Sequence, residues 1–277
     1  FGGIPKSPLA FHSRKIGLSS NGSKIAINAG AKLTGRVGPL GIGVLGMGLD
    51  DFENLDSDEV FVGRFTYDLF EESKVGTIFT HGDPQSNLNN QLAGVDLNLR
   101  SSNWWNEQSV SWHGFYMTSD DENENSDDVI GTHFTFPNYP FRASGHWVRT
   151  GENFNPAMGF VRRRGGESTG LGFTYYFEQP ENELLEDISV GAEYDRYEWL
   201  DGDLDSDELE INLIGIRTLA GDFLGLEVEF ERDILQEPFE IIDEVIIPSS
   251  EYKGVDFELE FRSCLLYTSD AADDSGC

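Results

Sequence analysis

The stretch Leu224–Arg232, "LGLEVEFER", alternates between apolar and polar residues along its length. Successive side chains of a β-strand point to opposite faces, so one face here carries Leu224, Leu226, Val228 and Phe230 and the other carries Gly225, Glu227, Glu229 and Glu231. The stretch Val255–Phe261, "VDFELEF", repeats the pattern, with Asp256, Glu258 and Glu260 on its polar face. A helix would place apolar residues every three or four positions, so both stretches predict amphipathic strands.

The same period of two recurs elsewhere in the chain, for example in "IAINAGAKLTG" (Ile25–Gly35) and "VDLNLR" (Val95–Arg100). No segment of comparable length has a helical period, so the predicted class is all-β. Strands are predicted near 8–18, 24–35, 39–49, 58–69, 74–81, 91–101, 108–118, 129–136, 141–151, 169–177, 188–200, 207–218, 223–234 and 253–262. Most are longer than the five or six residues usual in soluble sheets and match the roughly 9–11 that cross a bilayer at a tilt.

The connections between these strands alternate in length. Short links such as "RVGP", "FEES" and "PNYP" are followed by long ones such as "DDFENLDSD", "HGDPQSNLNN", "SDDENENSDD", "ENFNPAMGFVRRRGGES" and "QEPFEIIDEVIIPSS". The rule is imperfect, because "EQPENELLED" on the short side has intermediate length and "SSNGS" on the long side is short. Tight turns on one side and long loops on the other are typical of outer-membrane barrels. We therefore predict an antiparallel transmembrane β-barrel of outer-membrane type with about 14 or more strands, spanning residues 1–263 and incomplete at both ends. If the predicted strand at 8–18 runs outward from the periplasm, the 14th and last predicted strand returns to the periplasm, as an even-stranded barrel requires.

The charge of the chain restricts its partners. The 277 residues include 19 basic and 50 acidic side chains, for a formal net charge of −31. A field of this sign repels phosphate backbones, which argues against nucleic-acid binding. There is no apolar run of about 20 residues that would form a membrane-spanning helix. Acidic loops could share divalent cations with lipopolysaccharide.

The two ends of the chain differ from its middle. The sequence begins at Phe1 without Met or a signal peptide, so we expect a piece of a longer protein. Residues 264–277, "CLLYTSDAADDSGC", contain both cysteines. The codons TGT-CTC-TTA-TAC-ACA-TCT of a transposase sequencing adapter translate to the first six of these residues. We expect adapter read-through here, with a natural disordered tail as the alternative, and therefore no disulfide or thiolate site.

A soluble β-sandwich would also alternate, so alternation alone does not place the chain in a membrane. Two features favour the barrel. Ionised side chains form rows on the polar faces while bulky residues occupy the other faces, and aromatic residues near strand ends fit an interfacial girdle. The residues assigned to that girdle are Trp104, Trp105, Tyr139 and Trp199.

The stretch Gly41–Gly48, "GIGVLGMG", contains the spacing G-x-G-x-x-G of dinucleotide-binding turns. That fingerprint requires a helix directly after the glycines. Here an acidic loop-like segment and then the strand-like "VFVGRFTYDLF" follow. We therefore place Gly41 and Gly43 on one face of a strand where space is limited, and predict a β-bulge near Leu45 because Gly46 and Gly48 fall on the other face.

Several strings resemble the barrel region of domain-of-unknown-function family 5916: "FHSRKIG" (Phe11–Gly17), "AGAKLTGRVGPLGIGVLGMG" (Ala29–Gly48), "VGRFTYDLFEESKVGTIFT" (Val62–Thr80) and "MGFVRRR" (Met158–Arg164). The resemblance covers most of residues 8–262 and is strongest over 8–100. It implies an outer-membrane barrel that in the full-length protein follows a signal peptide and an upstream binding domain similar to carbohydrate-binding family 9. It carries no catalytic motif onto this chain.

Candidate chemical groups are weak as active sites. The five histidines lack metal-ligand spacing, and "DGDLDSDE" (Asp201–Glu208) lacks the Gly and Glu of an EF-hand loop, so we predict no metal and no cofactor. Facing carboxylates can in principle form the acid/base pair of a glycosidase, but no nucleophile set accompanies them. The basic cluster Arg162, Arg163 and Arg164 is interpreted as a solvated loop, as a partner of acidic lumen residues, or as part of a loop held across the barrel mouth.

The predicted function is a passive channel or barrel anchor in the bacterial outer membrane, in contact with lipid and lipopolysaccharide, serving hydrophilic solutes or glycan-related uptake without catalysis. The residues predicted to face the lumen are Arg64, Asp96, Asn98, Arg100, Glu227, Glu229, Glu231, Asp256, Glu258 and Glu260. Their carboxylates would favour cations or neutral polyols over anions. The alternative is a soluble, acidic β-sheet glycan-binding module or glycoside hydrolase.

Overall fold

The computed structural model describes residues 4–122, 126–179, 181–242 and 245–263. It is all-β, as predicted, and contains one 3₁₀ turn at Ser13–Lys15. The strands are β1 (Ile27–Val37), β2 (Leu40–Leu49), β3 (Asp58–Leu69), β4 (Ser73–His81), β5 (Asn90–Ser101), β6 (Val110–Asp121), β7 (Asp127–Pro137), β8 (Phe141–Thr150), β9 (Gly166–Glu178), β10 (Leu185–Trp199), β11 (Leu204–Thr218), β12 (Phe223–Ile234), β13 (Phe239–Ile242), β14 (Val245–Ile247) and β15 (Glu251–Arg262).

Thirteen of these strands form one antiparallel sheet in chain order, β1 to β12 followed by β15. The strands β13 and β14 pair only with each other. Within the described residues, β1 and β15 are the two edges of the large sheet and no ladder joins them. No helix in this part of the chain is long and apolar enough to span a membrane.

Period-two alternation located the sheet strands well. The ranges 58–69 and 223–234 coincide with β3 and β12, and the other sheet strands differ from prediction by a few residues. The predicted strand at 8–18 is wrong, because this segment holds the 3₁₀ turn and only isolated bridges. The strand count that returned the last strand to the periplasm therefore fails.

Two further expectations about the chain path need correction. The hairpin β13–β14 lies inside "QEPFEIIDEVIIPSS", which was predicted to be a loop. The alternation of connection lengths is weaker than predicted, since strands extend into "SDDENENSDD" and "DGDLDS" and leave connections at 122–126 and 200–203. Residues 123–125 and the proposed adapter segment 264–277 lie outside the described residues.

The chain divides into two compact units. Unit 1 comprises Phe1–Phe134, His146–Ser168 and Trp199–Gly202, and unit 2 comprises Thr135–Gly145, Thr169–Glu198 and Asp203–Cys277.

In unit 1, the ladders between β2 and β6 separate two faces of the sheet. One row across neighbouring strands is Leu45, Val62, Thr80, Leu92 and Ser119. The N-terminal segment 4–26 and the connection 151–165 pack on the face that contains this row; we call these two segments the cover and this face the covered face. A row on the opposite face is Ile42, Phe65, Thr77, Val95 and Tyr116, of which Phe65, Val95 and Tyr116 are exposed.

Two apolar clusters attach the cover to the sheet. The first joins the cover residues Ile4, Ala10 and Phe154 to Ile78, Leu92, Phe115, Met117, Val129 and Val148 of the sheet. The second joins Ile16, Ile25 and Met158 to Leu49, Val60 and Val62. Phe154 and Met158 are fully buried, so the apolar side chains of the cover are removed from water by the sheet rather than by a strand partner.

The two segments of the cover also bind each other through their backbones. The Leu9 and Phe160 amides each donate to the other's carbonyl at 2.8 and 2.9 Å, and the His12 amide donates to the Met158 carbonyl at 2.7 Å. A side chain at Gly159 would overlap the Leu9 carbonyl, so glycine permits this close approach.

The predicted bulge near Leu45 is absent, because the β2–β3 ladder runs without a shift from Leu40 to Leu49. The period is preserved, and Leu45 and Met47 pack against the second cluster on the covered face. Gly41 lies on this face as predicted, and a Cβ there would lie 2.5 Å from Thr66 Oγ1.

In unit 2, the same alternation separates an apolar face from a polar face. Cross-strand rows on the apolar face are Leu209, Phe230 and Val255, and then Ile211, Val228 and Phe257. Rows on the polar face are Glu210, Glu229 and Asp256, and then Asn212, Glu227 and Glu258.

Candidate functional site

On the covered face of unit 1, a charged group lies next to the apolar clusters. Arg64 Nη1 donates to Asp96 Oδ1 at 2.5 Å, and His113 Nε2 lies 3.9 Å from Asp96 Oδ2. Asp96 is only 4% exposed. The guanidinium of Arg64 crosses the place that a Cβ at Gly76 would occupy. A buried carboxylate of this kind is stable only while its cationic partner remains.

The other lumen-facing residues predicted in this part of the chain share that face. Asn98 and Arg100 follow Asp96 on β5 by two and four positions. In the β5–β6 ladder, Asn98 is paired with His113 and Arg100 with Ser111. Arg100 Nε lies 3.5 Å from Glu72 Oε2 in the β3–β4 turn. Hydrogen bonds from Ser102, together with Arg100, lower the pKa of the Glu72 carboxyl.

Polar contacts add to the apolar attachment of the cover. The fully buried Asn90 donates through Nδ2 to Asp121 Oδ1 at 2.5 Å and to the Asn155 carbonyl at 2.9 Å. Asn155 Nδ2 in turn donates to Asp121 Oδ2 at 2.9 Å. Sequence reasoning missed this network, although Asn155 lies in a connection that it recognised as long.

The basic cluster belongs to the same connection. Arg164 Nη2 donates to Asn155 Oδ1 at 2.8 Å, while Arg162 and Arg163 are exposed. The connection packs along the covered face, and the Arg164–Asn155 hydrogen bond joins two residues within it.

In unit 2, carboxylates from four neighbouring strands share the polar face. Glu193 is paired with Glu210, which is paired with Glu229, which is paired with Asp256. The adjoining rows contribute Asp195, Glu208, Glu227, Glu231, Glu258 and Glu260. Like charges opposite each other on a sheet repel, so this face attracts cations. The predicted lumen residues of β12 and β15 are thus brought together, and those of β10 and β11 were missed.

The acidic stretch Asp201–Glu208, which was predicted to lack an EF-hand loop, lies partly in a strand. Asp205 and Asp207 belong to β11, and the Arg232 guanidinium binds the Asp207 carboxylate, with Nε donating to Oδ1 at 2.9 Å. In the described part of the chain, no group of three or more His, Cys, Asp or Glu side chains has the arrangement to hold a metal ion.

The four predicted girdle aromatics lie at or near strand ends. Trp104 and Trp105 are exposed in the β5–β6 connection, and Trp199 ends β10. Tyr139 lies between β7 and β8 and stacks on Tyr176 with ring centroids 5.4 Å apart. Desolvation and nearby carboxylates raise the pKa of the Tyr139 phenol.

No family model, curated protein or solved structure matches this chain.

Proposed function

We propose that the chain is an outer-membrane β-barrel that serves as a passive channel or barrel anchor for hydrophilic solutes and performs no catalysis. The observation that carries the proposal is the distribution of side chains in unit 1. Phe61, Phe65 and Tyr67 are 39%, 44% and 48% exposed on one face, while Asn90 and Asp96 are 0% and 4% exposed on the other. Water favours the reverse distribution, whereas lipid favours apolar residues outside and polar residues inside.

The height of the apolar band supports this proposal. On β3 the face that carries Phe61, Phe65 and Tyr67 runs to Leu69, and the distance from Phe61 to Leu69 at about 3.3 Å per residue is roughly 26 Å of strand. At a tilt of about 40° this length spans roughly 20 Å, near the ~25 Å band of outer-membrane barrels.

Unit 2 has an exposed apolar surface of its own. Phe257, Leu259 and Phe261 of β15 are 74%, 71% and 71% exposed in one continuous row along the strand. Contiguous apolar patches of this kind are rare on soluble monomers. In the soluble alternative, a glycan-binding module or hydrolase, a second layer would have to cover this face.

The two faces suggest how solutes would be handled. In unit 1, apolar clusters fill the space between the cover and the sheet. This filling favours an anchor or a partly plugged channel over a wide pore. The carboxylate rows of unit 2 can replace water around cations and raise the energy of anions. Acidic residues in the long connections could also bind lipopolysaccharide through shared divalent cations.

Membrane insertion is tested by fractionation. The protein should require detergent for extraction from the outer membrane and migrate faster on a denaturing gel before boiling than after it. Recovery in the soluble fraction without detergent would overturn the proposal. In planar bilayers a channel gives cation-selective conductance, whereas an anchor gives none.

A further inference from the structure

Unit 2 contains a solvent-open groove of about 340 Å³ on its polar face, formed across β7 to β11. Its side walls carry the hydroxyls of Thr135, Ser144 and Thr174. Gly172 and Gly191 form part of the floor, and a Cβ at Gly172 would lie 2.9 Å from Ser144 Oγ. The absence of side chains at these two positions therefore keeps the groove open between its ends.

The two ends of the groove carry opposite charge. At one end Arg142 is held by Tyr176, with Nη1 donating to the phenol oxygen at 3.1 Å and Cζ 4.8 Å from the ring centroid. Tyr139 stacks on the same ring, so the guanidinium rests on a fixed aromatic pair. A guanidinium held in this way is suited to binding a carboxylate.

At the other end, Glu193 and Glu210 are direct cross-strand partners, and Asn212 follows two residues along β11. On β12, Glu229 is the cross-strand partner of Glu210, and Glu227 is that of Asn212. Two adjacent carboxylates with a third behind them favour a ligand group that carries positive charge and several N–H donors.

We propose that this groove binds short peptides, with the carboxylate terminus at Arg142 and the ammonium terminus between Glu193 and Glu210. Arg142 lies on β8 and Glu193 on β10, two strands apart in the sheet, which separates their backbones by about 10 Å. An extended tripeptide has a similar length, at about 3.3–3.6 Å per residue. This inference rests on the proposed function, because it takes the polar face to be the surface along which the solute passes.

The experiment uses the full chain in detergent and measures binding of tri-alanine, its C-terminal amide and its N-acetyl derivative by isothermal titration calorimetry. We expect Arg142→Gln to weaken tri-alanine binding at least tenfold and to abolish the preference for tri-alanine over its amide. The double variant Glu193→Gln/Glu210→Gln should likewise abolish the preference over the N-acetyl derivative. Glu183→Gln, at an exposed position of the β9–β10 connection outside the groove, is the matched control and should leave all three affinities unchanged.

Equal affinity of the unaltered protein for the three ligands, no binding at millimolar concentration, or an unchanged preference in Arg142→Gln would overturn the inference. Arg142→Lys, which retains the charge, is the check on folding and should retain most of the preference. Because binding is measured in detergent, it is independent of membrane insertion. A protein that inserts into membranes but does not bind tri-alanine refutes the peptide site alone.

Discussion

Replacing Leu171 with lysine separates a lipid-facing sheet from a soluble one. Leu171 lies near the middle of β9 and is 60% exposed, while Phe177 lies near the end of the same strand and is 48% exposed. Six residues at about 3.3 Å place the two positions roughly 20 Å apart along the strand, or about 15 Å apart in depth at a tilt of about 40°.

The depth difference sets the expected magnitude. A lysine at the bilayer midplane costs about 2–4 kcal/mol, and one near the interface about 0–1 kcal/mol. The effect of each lysine is measured relative to alanine at the same position. Leu171→Lys should therefore reduce the free energy of unfolding by about 2–3 kcal/mol more than Phe177→Lys does. This difference corresponds to a factor of roughly 30–150 in the folding equilibrium. On a soluble surface both changes would fall within about 0.5 kcal/mol of neutral.

The assay is urea unfolding in short-chain phosphatidylcholine vesicles, followed by tryptophan fluorescence. The alanine variants at both positions are matched controls, because they remove the native side chain without adding charge. Equal effects of lysine at the two depths would refute the assignment of this face to lipid.

Three other predictions concern the covered face of unit 1 and the polar face of unit 2. Phe154→Ala and Met158→Ala should each destabilise the protein by about 2–5 kcal/mol in the same unfolding assay, since both side chains are fully buried in the apolar clusters between the cover and the sheet. Values below about 1 kcal/mol would contradict that packing. Arg64→Leu should cost about 3–5 kcal/mol because it removes the guanidinium from the buried Asp96 carboxylate and leaves only His113, at 3.9 Å, beside it. Adding Asp96→Leu should recover part of the loss in a double-mutant cycle, and strict additivity would contradict the coupling. If the protein conducts, Glu229→Gln should lower the cation-to-anion permeability ratio measured from reversal potentials, and an unchanged ratio would place Glu229 outside the ion path.

The sheet was predictable because one physical rule governs each of its strands. In β12, apolar residues alternate with glutamates from Leu224 to Glu231, and the predicted range 223–234 matches the strand. The same rule failed at 8–18, where Phe11 and Ile16 do not alternate across a sheet but pack into the apolar clusters of the cover. Local alternation cannot distinguish a strand from a segment that is buried by distant contacts.

The candidate site was only partly predictable, because the side-chain period assigns a residue to a face of its strand but not to its neighbours on other strands. The side-chain period placed Arg64 and Asp96 on one face, and their register then made them partners across an intervening strand. The groove of unit 2 depends instead on five neighbouring strands, and the period gives no information about which strands are neighbours or how they are aligned. Arg142, Glu193 and Glu210 are far apart in sequence, so only the ladders bring them together.

Breaks in alternation nevertheless mark where the cover lies. Val60, Phe61 and Val62 are consecutive apolar residues, as are Ile78 and Phe79, and in each group one face packs on the cover while the other is exposed. A strand that meets apolar surroundings on both sides must be apolar at every position there, whereas one between lipid and a polar path alternates. On β12, alternation continues without a break from Leu226 to Glu231, and its polar face carries carboxylates instead of a cover. The local hydrophobic pattern therefore encodes both the strand and what lies against its faces, and the two units differ because that pattern differs.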